Sequence, residues 1–141
     1  GEDDQFAILE EILRLEPVAS LNHRRAAEDM PDAMAGPIGA GDVVAINIRA
    51  VNTDEAITGP CPFALDPDRA KRQKVAGAWL SFGDGAHRCP GAQVALHETR
   101  VFLDRLLRLP GIRMVSEPEV QWNAFIQGYE LRGCTVACDP A

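Results

Sequence analysis

The sequence is short of positive charge: 14 Lys and Arg stand against 21 Asp and Glu, a formal net charge of −7. That balance argues against a nucleic-acid binder, which needs clustered excess positive charge to displace counterions. No apolar run approaches the roughly 18–20 residues of a membrane-spanning helix. The first residues, Gly1-Glu2-Asp3-Asp4, lack the basic-then-apolar pattern of a secretory leader. Four cysteines, at 61, 89, 134 and 138, form neither a C-x-x-C pair nor a dense framework. They read as reduced thiols of a cytoplasmic protein rather than as disulfides or structural zinc ligands. Aromatic residues are few, at 6%, and there is no internal repeat. What is present is an ordinary globular mixture, 46% hydrophobic and 25% charged over 141 residues. The expectation is one unit spanning 1–141, with neither a disordered nor a collagenous composition.

Apolar residues at 6, 9, 12 and 13 predict a helix over 5–15, with Asp3 and Asp4 suiting its start and Pro17 stopping it. Residues 18–25 read as extended. Val43-Val-Ala-Ile-Asn-Ile48 reads as a buried strand after the turn-rich stretch 35–41, and a short helix is expected near 49–57. Pro60, Pro62 and Pro67 predict an irregular run over 59–74, and 80–91 reads as a second irregular loop. Residues 92–108 predict a strong helix with Ala92, Ala95, Thr99, Phe102, Leu103 and Leu106 on one side. The tail, 112–138, reads as short strands with turns at Gly128 and Gly133. The class expected is α+β: two main helices and small β-pieces on long loops, a layout that buries little by itself.

The most informative stretch is Phe82-Gly-Asp-Gly-Ala-His-Arg-Cys-Pro-Gly91. Gly83 and Gly85 let the backbone turn tightly or approach a flat ligand. Cys89 precedes the long helix, with Pro90 suited to a first helical position. A sulfur there faces the unpaired N–H groups of a helix start, which favour its anionic form as a metal ligand or nucleophile. The plainer alternative is a buried cysteine beside a turn. The loop is no dinucleotide fingerprint, because Arg88 stands where the third glycine belongs. Glu11 and Arg14, three apart on the first helix, can face each other; the plainer alternative is a surface ion pair.

Together these pieces resemble the cytochrome P450 heme-thiolate monooxygenases. Glu11-Ile-Leu-Arg14 is similar to their E-x-x-R, and Phe82–Gly91 to their heme-binding loop F-G-x-G-x-H-x-C-x-G. Leu65-Asp-Pro-Asp-Arg69 resembles the arginine-bearing segment between the two, and Cys61-Pro62 onward is similar to the bacterial camphor-hydroxylase branch. The resemblance covers essentially the whole chain and implies the C-terminal part of that mostly helical fold.

It also implies roles. Cys89 would be the axial thiolate on the iron of heme b (iron protoporphyrin IX), pushing electron density toward the metal. Arg24 and His87 would bond the propionates, with Asn22 nearby. Phe82 would pack beside the thiolate, with Gly83 and Gly91 shaping the loop. Glu11, Arg14 and Arg69 would form a buried charge triad. Residues 18–21 and 125–127 would border the pocket for a small apolar substrate. Gly91 and Ala92 can donate N–H groups toward the thiolate, whereas Pro90 cannot. The basic run Arg69, Lys71, Arg72 and Lys74, with Arg88 beyond it, would steer a ferredoxin-type electron donor if it lies on the proximal face, with Arg69 expected inside; the plainer alternative is a solvated loop. The family's longer N-terminal part, with the helix that delivers protons to dioxygen, has no counterpart here. The expectation is therefore the proximal, heme-ligand part of a monooxygenase, inactive alone. The alternative is a truncated, non-catalytic heme-binding or protein-interaction remnant whose open face is covered by self-association or a partner.

Overall fold

The computed structural model describes residues 1–140. Helix α1 (Glu2–Leu15) starts at Glu2 rather than Gln5, because Glu2, Asp3 and Asp4 complement the positive end of the helix. After Pro17 the chain extends into β1 (Leu21–Arg25), which pairs antiparallel with β2 (Val43–Asn47), from Leu21 opposite Asn47 to Arg25 opposite Val43. Strand β2 is not the buried strand that its apolar run predicts. Its residues alternate between exposed and half-buried, as expected for a two-stranded ribbon with one covered face.

The single helix expected near 49–57 is two. Helix α2 (Ile48–Asn52) is capped by Asn47, whose side chain accepts the Ala50 N–H at 2.9 Å. Helix α3 (Glu55–Thr58) is restarted by Asp54, which accepts the Ala56 N–H at 2.9 Å. The run 59–74 is not wholly irregular either: α4 (Arg69–Gln73) forms beyond the prolines and ends at Lys74, which turns left-handed at φ 57°. Two 3-10 turns, Trp79–Phe82 and Gly85–His87, order the loop that leads to helix α5 (Ala92–Leu107). The cap of α5 is Gly91, so Pro90 stands before the cap rather than at the first helical position. The Ala92 N–H reaches the Cys89 carbonyl only at 3.4 Å, which makes Cys89–Ala92 a turn.

The packed side of α5 coincides only in part with the one read from hydrophobicity. Ala92 is buried and Leu103 and Leu106 are half-buried, as expected, and Leu96 is buried with them, whereas Ala95, Thr99 and Phe102 are exposed. Arg100 explains the offset, because its long side chain sits over the Phe6 ring at 5.4 Å and pairs with Glu2 at 2.9 Å, taking a place on the packed stripe. Phe6 stacks on His97 at 6.1 Å, and Gln5 donates to Asp104 at 3.1 Å. A groove of about 410 Å³ remains between the two helices, lined by Ile8, Ile12, Leu103 and Leu107 among others.

The tail forms two separate ribbons, β3 (Arg113–Ser116) with β6 (Thr135–Ala137) and β4 (Glu119–Asn123) with β5 (Gly128–Arg132). Gly128 is the first residue of β5, opposite Asn123, rather than a turn residue; the turn lies at 124–127, where Gln127 has φ 48°. Among the described residues the six buried apolar ones (Leu9, Ala26, Ile48, Ala78, Ala92 and Leu96) include three alanines, while Glu11, Arg14, Asn52, Thr58 and Arg69 are buried beside them. The interior is therefore unusually polar, and charged side chains must satisfy one another there.

Gly128 docks its hairpin against the segment after α1. A Cβ added there would stand 2.4 Å from the Val18 carbonyl oxygen, a backbone atom with little room to move. Gly128→Ala is expected to lower stability by about 1–3 kcal/mol, as overpacking does. Urea unfolding of the variant against the parent measures it, and an unchanged midpoint would contradict the docking.

Candidate functional site

Three charges meet below the loop that holds Cys89. Glu11 and Arg14 share one face of α1, and Arg69 opens α4, 58 residues away in sequence from Glu11. Glu11 Oε2 accepts from Arg14 Nε at 2.7 Å and Oε1 from Arg14 Nη2 at 2.7 Å, a bidentate fork. The same Oε1 accepts from Arg69 Nε at 3.2 Å and from the Asp66 N–H at 3.2 Å. Arg14 is 0% exposed, and Glu11 and Arg69 are each 2% exposed. The surface-pair alternative for Glu11 and Arg14 therefore fails.

The remaining guanidinium hydrogens go to backbone carbonyls. Arg14 reaches the Asn52 oxygen at 2.7 Å and the Ala64 oxygen at 3.3 Å. Arg69 donates to the carbonyls of Thr58, Pro60, Cys61 and Ala64 at 2.9, 3.1, 2.9 and 3.2 Å. It thus clasps the proline-rich turn, where Cys61 adopts φ 55°. Trp79 lies 5.5 Å from the Arg14 guanidinium.

Burial pushes the Glu11 carboxyl upward, but the hydrogen bonds from Arg14 and Arg69 outweigh it and hold the group below the ordinary carboxylate range. Its neighbour Glu10 goes the other way. Burial raises it, and the positive charge of Arg88 only partly offsets that. Glu10 lies against Gly77, where an added Cβ would meet its Oε2 at 1.9 Å, so α1 reaches the segment before the cysteine loop through this carboxylate as well.

The loop itself is closed by short-range bonds. The Cys89 N–H donates to the Phe82 carbonyl at 2.7 Å, Gly83 N–H to Leu80 at 2.8 Å, and His87 N–H to Asp84 at 3.2 Å. Gly83, at φ 69°, packs so close to the His87 carbonyl that a Cβ would stand 2.9 Å from it. Cys89 is exposed, so the buried-cysteine alternative fails as well. Its sulfur leans toward Gly91, whose amide meets no backbone carbonyl among the described residues. An exposed sulfur beside an unpaired N–H, on a loop locked from behind, is a donor arrangement that fits a thiolate-ligated heme.

His87 and Arg24 are both exposed, on separate elements: His87 closes the second 3-10 turn and Arg24 stands in β1, donating to the His23 carbonyl at 2.8 Å. Phe82 is half-buried at the end of the first 3-10 turn, and Asn22 pairs with Ile46. Residues 18–20 meet the hairpin that carries 125–127, through the Val18 carbonyl and Ser20 Oγ facing Gly128. Of the basic run, Lys71, Arg72 and Lys74 are exposed, with Arg72 paired to Asp66, while Arg69 belongs to the interior.

Sequence reasoning missed Asn52, Thr58, Ser81, Trp79 and Glu10. None sits at a periodic apolar position.

The family model for cytochrome P450 matches residues 6–117, which contain the E-x-x-R helix, Arg69 and the whole cysteine loop. The chain belongs to the cytochrome P450 family. It is 38% identical over 130 residues to the mycinamicin IV hydroxylase/epoxidase of Micromonospora griseorubida, covering 89% of this chain and 30% of that protein. It is 35% identical over 128 residues to the nocardicin C N-oxygenase of Nocardia uniformis, covering 88% and 30%. Among solved P450s, P450BioI in complex with an acyl carrier protein bearing hexadec-9Z-enoic acid superposes with a TM-score of 0.81 at 27% identity. That match covers 99% of this chain and 34% of that one. CYP164A2 of Mycobacterium smegmatis superposes with a TM-score of 0.76 at 32% identity, covering 96% and 33%. The chain thus spans about a third of the length of the P450s it matches, and its α+β architecture is that of their C-terminal portion.

Removing one member of a buried ion network leaves the others unpaired, at a cost of about 3–5 kcal/mol. Glu11→Ala and Arg69→Ala should each lose that much in chemical unfolding, and Arg14→Lys should also be harmful because an ammonium cannot form the planar fork. The double mutant Glu11→Ala/Arg69→Ala should show a coupling energy above about 1 kcal/mol, and simple additivity would contradict direct contact.

The two neighbouring glutamates predict opposite pH behaviour. The folded value of Glu11 lies below the unfolded carboxylate value of about 4.3, so its contribution is complete above that pH and is lost as pH falls through the folded value. The folded value of Glu10 lies above it, so stability declines as pH rises through the ordinary range toward the raised value. Unfolding midpoints across about pH 2–7 should show a shallower acid limb in Glu11→Gln and a smaller decline on the rising side in Glu10→Gln.

Proposed function

We propose that this chain supplies the proximal, heme-ligand part of a heme-thiolate monooxygenase, with Cys89 as the axial sulfur. The observation that carries the reading is the exposed Cys89 sulfur on a loop whose amide is tied to the Phe82 carbonyl at 2.7 Å, beside the unpaired Gly91 N–H. Residues 1–141 act as one unit in this reading. The chemistry such a heme supplies when bound is reductive activation of dioxygen, with transfer of one oxygen atom to an organic substrate. The residues of this chain hold and tune the sulfur. The free Gly91 N–H would donate toward it once the thiolate is in place, and Gly83, at φ 69°, lets the loop pass close to a flat ligand. Arg24 and His87, both exposed, serve the heme propionates, Arg24 as a planar fork for a carboxylate. Phe82 packs beside the sulfur.

Support for substrate classes comes from the relatives: a hydroxylase/epoxidase and an N-oxygenase are among those this chain resembles. A small apolar organic molecule is the substrate proposed here, bordered by residues 18–21 and 125–127. Electrons come from a ferredoxin-type donor whose acidic surface meets Lys71, Arg72 and Lys74, which are exposed on an otherwise acidic chain. Among the described residues no helix is long and apolar enough to cross a membrane, and a cytoplasmic setting is part of the reading.

Heme titration followed by reduction under carbon monoxide tests the ligand. Cys89→Ala should lose the red-shifted band of a thiolate-bound ferrous heme, while Cys61→Ala, Cys134→Ala and Cys138→Ala keep it. A band that survives Cys89→Ala overturns the assignment.

A further inference from the structure

One buried side chain links the E-x-x-R helix to the cysteine loop, and neither motif contains it. Asn52, at the end of α2, is 0% exposed. Its Nδ2 donates to the Arg14 carbonyl at 3.2 Å and to Ser81 Oγ at 2.8 Å, and its Oδ1 accepts the Leu80 N–H at 3.1 Å. Its own backbone carbonyl receives Arg14 Nη1 at 2.7 Å. Ser81 Oγ in turn donates to the Leu13 carbonyl at 2.6 Å. Leu13 and Arg14 lie in the last turn of α1, where carbonyls have no partner within the helix. Two side chains therefore cap the end of α1, and both belong to the path toward Cys89: Ser81 lies in the first 3-10 turn, and Asn52 grips that turn by the Leu80 amide.

We propose that Asn52 is the positioning residue that hangs the 80–89 loop on the C-terminal end of α1 and so sets the place of Cys89. Its part in holding Cys89 for a heme rests on the proposed function above; its grip on Leu80 and Ser81 does not. The chemistry requires an amide. One end must donate twice, to a carbonyl and a hydroxyl, and the other must accept from a backbone N–H. A carboxylate of the same shape fails at the donating end, where it would face the Arg14 carbonyl oxygen. The path from Asn52 to the sulfur is short. Leu80 and Ser81 lead to Phe82, whose carbonyl holds the Cys89 amide.

The test compares the parent chain with Asn52→Asp, Ser81→Ala and Ser81→Thr, read by amide hydrogen exchange without heme and by the carbon monoxide spectrum with it. In Asn52→Asp, exchange at Leu80, Gly83 and Cys89 should accelerate by about tenfold or more, with amides in the middle of α5 unchanged. Ser81→Ala should give a smaller acceleration that Ser81→Thr, which keeps the hydroxyl, restores. With heme, Asn52→Asp should lose much of the red-shifted band of the parent, and Ser81→Thr should keep it. Unchanged exchange at Leu80, or acceleration spread evenly over α1 and α5, overturns the positioning role. A full red-shifted band in an Asn52→Asp chain whose loop amides exchange fast overturns the link to Cys89. A parent chain that never shows the band counts against the heme reading instead, and hydrogen exchange then decides the role of Asn52 alone.

Discussion

A guanidinium with no exposure to water is the constraint on which this structure is built. Arg14 cannot shed its charge, so every N–H it carries needs an acceptor held in place around it. Glu11 takes two of them in a fork, and the Asn52 and Ala64 carbonyls take others. Each acceptor belongs to a different stretch of chain: α1 itself, the end of α2, and the proline-rich turn. Arg69 repeats the arrangement from the far side of the same carboxylate and clasps the turn by four carbonyls. Such a network is costly to bury and gains little net stability over a well-packed apolar core. What it does instead is fix directions, because each bond has a geometry that apolar contact does not impose.

That explains how so thin an apolar interior can hold a precise loop. Among the described residues three of the six buried apolar ones are alanines, and side chains as large as Phe63, Leu107 and Phe125 lie at the surface. Contacts of this kind set a distance between elements and leave rotation loosely defined. The polar hub removes that freedom where α1, α2 and the 79–82 turn meet, and there the chain heads for Cys89.

The sequence showed what is local or carries a motif. The Glu11–Arg14 spacing, the cysteine loop, Arg69 before it, and the two long helices were all legible, because helical periodicity and side-chain chemistry at fixed spacing leave a direct trace. Asn52, Thr58 and Ser81 left none. Their work is side chain to backbone across tens of residues, and a polar residue in a short helix looks the same whether it faces water or a buried carbonyl. Part of the packed stripe of α5 was misplaced for a related reason: Arg100 occupies it through its aliphatic stem and its place over Phe6, while hydrophobicity pointed at Phe102. Pro90 was put two positions too deep into the helix, since a turn and a first helical position ask the same of its φ.

The role proposed for Cys89 sets two opposed demands. A sulfur that is to ligand a metal must be exposed on the ligand side, yet held still, and an exposed loop is ordinarily the most mobile part of a chain. Here the stiffness comes from behind. Cys89 is tied by its amide to Phe82, Phe82 ends the turn gripped by Asn52, and Asn52 is bonded to Arg14 at both its backbone and its side chain. A second tie runs from Glu10 on α1, which lies against Gly77 and in the field of Arg88, the residue before the cysteine. Adjacent glutamates on one helix thus brace the loop on two sides, Glu11 through the buried arginines and Glu10 from the half-buried flank. A change in α1 therefore reaches the Cys89 amide through the bonds of Asn52, Ser81 and Phe82.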